Sequence, residues 1–421
     1  MEKETNTPTL RFQGFDGPWE KKKLGDIGMA FDYGLNAAAT DYDGRHKYLR
    51  ITDIDDESRK FIVDNVTSPA VNFAVSEEYK LQERDIVFAR TGASVGKTYL
   101  YDPLDGDVYF AGYLIRAHIK PEYDPSFVFQ NTFTPSYARY IAITSQRSGQ
   151  PGVNAQEYSA YEIYVPSLKE QCRVGTTLQK LDNVIEKQAQ KIKKLEQFRQ
   201  AMLTKLFPAE GASEPALRFH GFSGPWVKRG LLENFTKIID FRGRTPKKLG
   251  MDWSANGYPA LSALNVKDGY IDFSQDVHFG SPELYEKWMV GNELHRGQVI
   301  FTTEAPMGNV AQIPDERKYI LSQRTIAFEV NPALLTEDFL ATLLRSPKVQ
   351  KDLQALSSGG TAKGVSQRSM EMVDVVLPAN IEEQKKIGDF FHRLDLYISL
   401  QKEKLDKMRL LKAALLDKLF V

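Results

Sequence analysis

Cysteine is almost missing from this chain: Cys172 is the single one in 421 residues. That excludes a disulfide framework and fits a reducing cytosol. No apolar run approaches the roughly 18 residues that a membrane-spanning helix needs. The first nine residues, Met1 to Thr9, are polar and lack the apolar centre of a secretion signal, so the chain reads as cytoplasmic. Charge of one sign is missing as well, since 55 basic residues face 55 acidic ones. A nucleic-acid binder usually carries a basic excess, so any case for one must rest on local clusters. Histidine is sparse: His46, His118, His220, His278, His295 and His392 lie scattered, none at ligand spacing from another, and no metal site is expected. Hydrophobic content of 42% and charged content of 26% are those of an ordinary globular protein of two or more domains.

Catalytic signatures fall short in the same way. Gly92-Ala-Ser-Val-Gly-Lys-Thr98 is one residue short of a phosphate-binding loop, with Thr91 where the first glycine belongs. Its counterpart Glu304-Ala-Pro-Met-Gly-Asn309 has no lysine and carries a carboxylate. Adenine methyl transfer would want an Asn/Asp-Pro-Pro-aromatic loop, and Asn331-Pro-Ala and Asp102-Pro-Leu lack both the second proline and the aromatic. Pro314-Asp315 followed by Glu316-Arg-Lys318 is too compressed to present nuclease carboxylates from separate strands. No catalytic set is expected in this chain.

What the chain does contain, it contains twice. Leu10-Arg-Phe-Gln-Gly-Phe-Asp-Gly-Pro-Trp19 returns as Leu217-Arg-Phe-His-Gly-Phe-Ser-Gly-Pro-Trp226, an offset of 207 (217 − 10). Val165-Pro166, Glu170-Gln171 and the run ending Lys205-Leu206-Phe207 return as Leu377-Pro378, Glu383-Gln384 and Lys418-Leu419-Phe420. From Arg173 and Lys386 onward the register holds at 213 (386 − 173). Such a duplication predicts a pseudo-twofold protein suited to a target with two parts.

The predicted fold class is mixed α/β, with two similar domains of short strands and helices separated by two long antiparallel coiled-coil helices. The blocks are residues 1–163, a first mixed domain; 164–207, a long helix; 208–216, a linker bracketed by Pro208 and Pro215; 217–376, a second mixed domain; and 377–421, a second long helix. Leu181, Ile185, Gln188, Ile192 and Leu195 follow steps of four and three, and so do Leu394, Ile398, Gln401, Leu405 and Met408, which specifies a coiled-coil seam. Arg199 and Lys412 break the two stripes. The plainer alternative is two surface helices, each packed on its own domain.

Basic loops with hydrogen-bonding neighbours are the remaining signal. Arg242-Gly-Arg-Thr-Pro-Lys-Lys248 places Arg242, Arg244, Lys247 and Lys248 in seven residues around Thr245, where arginine can clamp a guanine edge and lysine can neutralise phosphate. Gln323 and Arg324 in Ser322-Gln-Arg-Thr325, Lys363 in the run 360–368, and Thr303 at the end of the strand-like run Gln298–Thr303 are further candidates in the same domain. In the first domain the candidates are Arg50, Arg90, Thr91, Ser94 and Lys97, with Arg147 and Asn154 in the segment that takes the place of 360–368. The plain reading of any one such loop is a solvated basic turn.

The duplicated Gly-Pro-Trp openings, the entries Pro166 to Gln171 and Pro378 to Gln384, and the paired helices ending Lys-Leu-Phe resemble the specificity subunit of Type I restriction-modification systems. The resemblance spans essentially the whole chain from Leu10 and rests on the duplication and helix pattern, since no single short motif carries it. It implies two target recognition domains, each reading half of a split, asymmetric site in double-stranded DNA. It implies helices that act as a ruler for the unread spacer, and about 39 helical residues span about 58 Å. It further implies two methyltransferase subunits that bring S-adenosylmethionine, and two motor-nuclease subunits that use ATP and Mg2+. On that reading this chain binds no cofactor and does no chemistry. The alternative is a coiled-coil scaffold that spaces two protein-binding heads without touching DNA.

Gln188 and Gln401 hold equivalent seam positions near mid-helix and are expected to approach each other. Replacing both by leucine should raise the melting temperature while loosening register, and a drop in thermal stability would count against that pairing.

Overall fold

A computed structural model describes residues 6–146, 149–357 and 363–421. The chain divides into two units, residues 1–190 with 402–421, and residues 191–401. Both long helices cross this division. Leu168–Lys205 begins in the first unit and ends in the second, and Ile381–Leu419 does the reverse.

In the first unit a four-stranded antiparallel sheet has the order Gly28–Tyr33, Leu114–Ile119, Asp85–Ala89, Thr98–Leu100. The second unit repeats it as Phe235–Asp240, Thr325–Val330, Val299–Thr302, Val310–Gln312. One central strand of each sheet carries an unbroken apolar run, Ile86–Ala89 and Val299–Phe301, because both of its faces are covered. Ile86 and Phe88 join a core with the helices, whereas Val87 and Ala89 point into a second core beneath a short parallel pair, Lys47–Leu49 with Val108–Phe110. Val299 and Phe301 likewise feed one core of the second unit and Ile300 the other. Side chains of period two serving two cores explain why neither strand alternates with polar residues.

The duplicated opening is built into a clamp. Arg11 donates from both Nε and Nη2 to the Glu170 carboxylate, each at 2.8 Å, and from Nη1 to the Gly17 carbonyl. Arg218 does the same to Glu383, at 2.7 Å twice, and to Gly224. The glutamates sit at the N-terminal ends of the long helices and are only 2% and 1% exposed, so each buried charge needs this bidentate partner. The neighbouring Gln171 and Gln384 bind the mixed domains instead, accepting from the amides of Asp124 and Thr336 at 3.0 Å each. Trp19 then packs edge-on to Phe127 and Phe420, and Trp226 to Phe207 and Phe339. Leu10 donates its amide to the Lys418 carbonyl and Leu217 to that of Lys205, both helix ends.

Within each unit the two helix segments are antiparallel. In the first, Val174 and Leu178 from one helix start share a core with Leu416, Leu419 and Phe420 from the other helix end. In the second, Leu203, Leu206 and Phe207 meet Ile387 and Phe391. Of the predicted seam, Gln188, Ile192, Ile398 and Leu405 are buried, and Leu181, Ile185, Leu195, Leu394, Gln401 and Met408 are half-buried.

The two breaks in the stripes turn out to be partners rather than defects. Arg199 binds Asp395 at 2.6 Å in the second unit, and Lys412 binds Asp182 at 2.7 Å in the first. Arg345 adds to Asp395 at 2.6 Å and reaches Asp268 at 2.6 Å, while in the first unit Phe133 lies under the Lys412 ammonium at 3.8 Å. Burial pushes Lys412 below the usual lysine range, opposed by the Asp182 carboxylate. The periodicity of one helix could not reveal these pairs, because each base answers an acid on the other helix. Gln401 meanwhile accepts from Lys191 at 3.1 Å.

Close approach explains two glycines inside long helices. A Cβ on Gly175 would lie 2.5 Å from Asp124 Oδ1 and 2.8 Å from the Phe127 amide, and one on Gly388 would lie 2.7 Å from Asp338 Cβ and 2.8 Å from the Phe339 amide. Gly→Ala usually favours a helix by about 1 kcal/mol. Here overpacking against backbone should reverse the sign and cost about 1–3 kcal/mol at each site. Thermal melting of Gly175→Ala and Gly388→Ala should therefore show lower midpoints than the parent chain.

Candidate nucleic-acid interface

The same loop frame recurs at one edge of each unit. In the first, Arg90 donates its amide to the Tyr113 carbonyl at 3.0 Å and accepts from the Val153 amide at 2.9 Å. In the second, Thr303 donates to Arg324 at 2.9 Å and accepts from Val365 at 2.9 Å. Thr91 bridges Gly152, and Glu304 bridges Gly364. Three loops per unit are thus tied by backbone, which frees their side chains to differ.

The loop resembling a phosphate cradle is closed on itself. The amides of Gly92, Val95, Gly96 and Lys97 donate to the carbonyls of Pro151, Gly92, Ala89 and Ser94, so none of these four is left to bind phosphate. Lys97 turns inward: its ammonium meets Asp56 and the Ile54 carbonyl, with its side chain 15% exposed. Lys97, expected to serve a polyanion, is thus held by partners within its own domain.

Other predicted contacts also have structural work. Arg50 is bidentate to Asp53, at 2.8 and 3.0 Å. Arg90 lies over the Tyr33 ring at 4.8 Å, half-buried, and Thr91 and Ser94 are half-buried in the closed turn. Asn154 caps the helix Ala155–Ser159, accepting from Glu157 at 2.9 Å. Thr303 is 3% exposed, which removes its side chain from any surface. It directly follows the strand Val299–Thr302 and ties the loops together through its backbone. Arg147 lies outside the described residues.

The basic run 242–248 is divided in the same way. Arg244 donates to the Trp288 carbonyl and stacks over Phe241 at 4.4 Å, so it braces the fold. Thr245 caps the turn Pro246–Leu249, Lys248 binds the Gly243 carbonyl at 2.7 Å, and Gln323 donates to the Arg244 carbonyl. Arg242 pairs loosely with Asp240 at 3.4 Å. Lys247, Arg324 and Lys363 are exposed. The structure therefore brings 240–248, 303–304, 322–325 and 363–367 into one loop cluster, which Gln367 closes by donating to Asp240 at 3.0 Å.

Sequence reasoning passed over Tyr33 and Tyr113, which are 44% and 61% exposed beside Arg90. Aromatics close to a turn that recurs in both halves of the chain were the available signal, obscured by the search for basic residues. Among the described residues no group of histidine, cysteine and carboxylates is placed to hold a metal ion, and no helix is long and apolar enough to cross a membrane.

Two copies of one mixed fold, each joined to antiparallel segments of long helices and presenting different side chains on a common loop frame, define a duplicated recognition protein. The chain belongs to the family of the Type I restriction modification DNA specificity domain, which matches it twice, over residues 17–197 and 225–409. It is 22% identical to the Type I restriction enzyme MjaVIII specificity subunit of Methanocaldococcus jannaschii, over 97% of this chain and 94% of that one. The putative type I restriction enzyme MjaX specificity subunit of the same organism is also 22% identical, over 97% and 94%. The crystal structure of a Type-I restriction-modification S subunit from M. genitalium shares the fold, with a TM-score of 0.64 at 15% identity over 99% of each chain.

Lys97→Met is expected to lower the melting temperature while leaving the salt dependence of duplex binding unchanged, because the ammonium is already engaged. A shallower salt slope in a DNA-binding titration would restore Lys97 to the interface.

Proposed function

We propose that this chain is the sequence-recognition subunit of a Type I restriction-modification complex, each of its two specificity domains reading one half of a bipartite, asymmetric DNA site. The observation that carries this reading is the frame: the Arg90 and Thr303 amides make matching bonds in the two domains, while the surrounding loops carry Tyr33, Tyr113 and Thr91 in one and Asp240, Arg324 and Glu304 in the other. Equal scaffolds with unequal surfaces suit a site whose halves differ. Lys247 and Lys363 supply exposed cations for phosphate, which position without specifying, while polar loop side chains face base edges.

In this reading the long helices space the domains, and chemistry belongs to partners. Two methyltransferase subunits bring S-adenosylmethionine, and two motor-nuclease subunits bring ATP and Mg2+. The chain itself binds none of these and works in the cytoplasm.

Co-expression with the cognate methyltransferase subunit, followed by mapping of methylated adenines on genomic DNA, tests the assignment. A split asymmetric motif with a spacer of constant length is the expected result. Sequence-independent methylation, or a chain that recruits the methyltransferase yet shows no salt-dependent duplex binding, would favour a protein-spacing scaffold instead.

A further inference from the structure

The residue that does the reading can be narrowed further, on the basis of that proposed function. In the second domain most long polar side chains of the loop cluster are occupied: Arg244 by the Trp288 carbonyl, Lys248 by the Gly243 carbonyl, and Gln323 by the Arg244 carbonyl. Arg324 is different. Its side chain is 56% exposed, and its nearest carboxylate, Glu304, lies 3.7 Å away and is 39% exposed. That distance is too long for a hydrogen bond, and an exposed ion pair of this kind opens at little cost.

The backbone beneath is firmly held. The Arg324 carbonyl accepts from Thr303, the residue before Glu304, and Glu304 bridges Gly364. Arg324 has φ +65, a left-handed conformation that bulky side chains rarely adopt and that turns this residue outward at the crown of the loop. A guanidinium fork and a carboxylate are thus set side by side on two loops tied together by backbone hydrogen bonding. A fork matches the O6 and N7 acceptors of guanine in the major groove, and a carboxylate accepts from the N4 amino group of cytosine. These two are the partners of one base pair.

We propose that Arg324 and Glu304 together read a single G·C pair in the half-site of the second domain. The first domain holds Tyr113 and Thr91 at the corresponding frame positions, bound by the Arg90 amide and the Gly152 bridge, and so has neither the fork nor the carboxylate. Its half-site carries no such requirement from this position.

The test is selection from a randomised duplex library by the full chain assembled with its methyltransferase subunit, comparing the parent with Arg324→Lys, Arg324→Gln and Glu304→Gln. The parent should select a split motif, and each variant should relax one G·C position of one half by about five- to a hundredfold while leaving all other positions intact. Arg324→Lys keeps the charge but loses the fork, so it separates the two roles. If it weakens all sequences equally, or leaves the motif unchanged, Arg324 is a phosphate contact or a bystander and the proposal falls while the function stands. If the parent selects no sequence at all, the function falls, and this assignment with it. Melting curves of the three variants, expected to match the parent, confirm that the exposed substitutions leave the fold in place.

Discussion

A buried carboxylate at the entry of each long helix is the constraint on which the rest of the structure depends. Glu170 and Glu383 are removed from water, and an unpaired charge there would cost several kcal/mol, roughly the 3–5 kcal/mol seen when a buried pair is broken. Arg11 and Arg218 satisfy them bidentately and thereby fix the Gly-Pro-Trp opening against the helix. The adjacent glutamines fix the recognition fold against the same helix turn. Helix, opening and domain are thus joined through two neighbouring side chains, and both units repeat the arrangement.

The helices themselves combine a greasy stripe with charged locks. Ile192, Ile398 and Leu405 supply apolar burial, which is tolerant of sliding by a turn. The pairs Asp182 with Lys412 and Asp395 with Arg199 are not tolerant, since a slip would leave a buried charge alone. Register therefore rests on electrostatics, and Gly175 and Gly388 allow the recognition fold to approach the same helices without a side chain between them.

The loop clusters of the two units differ in chemistry. Where the first unit places an aromatic turn, with Tyr33 beneath Arg90 and Tyr113 exposed, the second places Asp240, Glu304 and Arg324. The second unit also inserts a helix, Pro282–Met289, whose Trp288 carries the carbonyl that holds Arg244. A frame held by backbone hydrogen bonds permits such exchange because its energy does not depend on which side chains it displays.

The sequence alone determined the duplication, the two long helices and the repeated mixed domain. Each of these is written in local pattern: repeated words, a four-three apolar step, and runs of strand formers closed by glycine and proline. Tertiary structure decided which candidate contact residues also have partners within the fold. Lys97, Arg244 and Thr303 have the composition of contact residues, yet Asp56, the Trp288 carbonyl and the strand layer absorb them. Tertiary structure likewise paired Arg199 with Asp395 and Lys412 with Asp182. A side chain's partner lies far along the chain in every one of these cases, and composition records what a residue can bind but not what stands within about 3 Å of it.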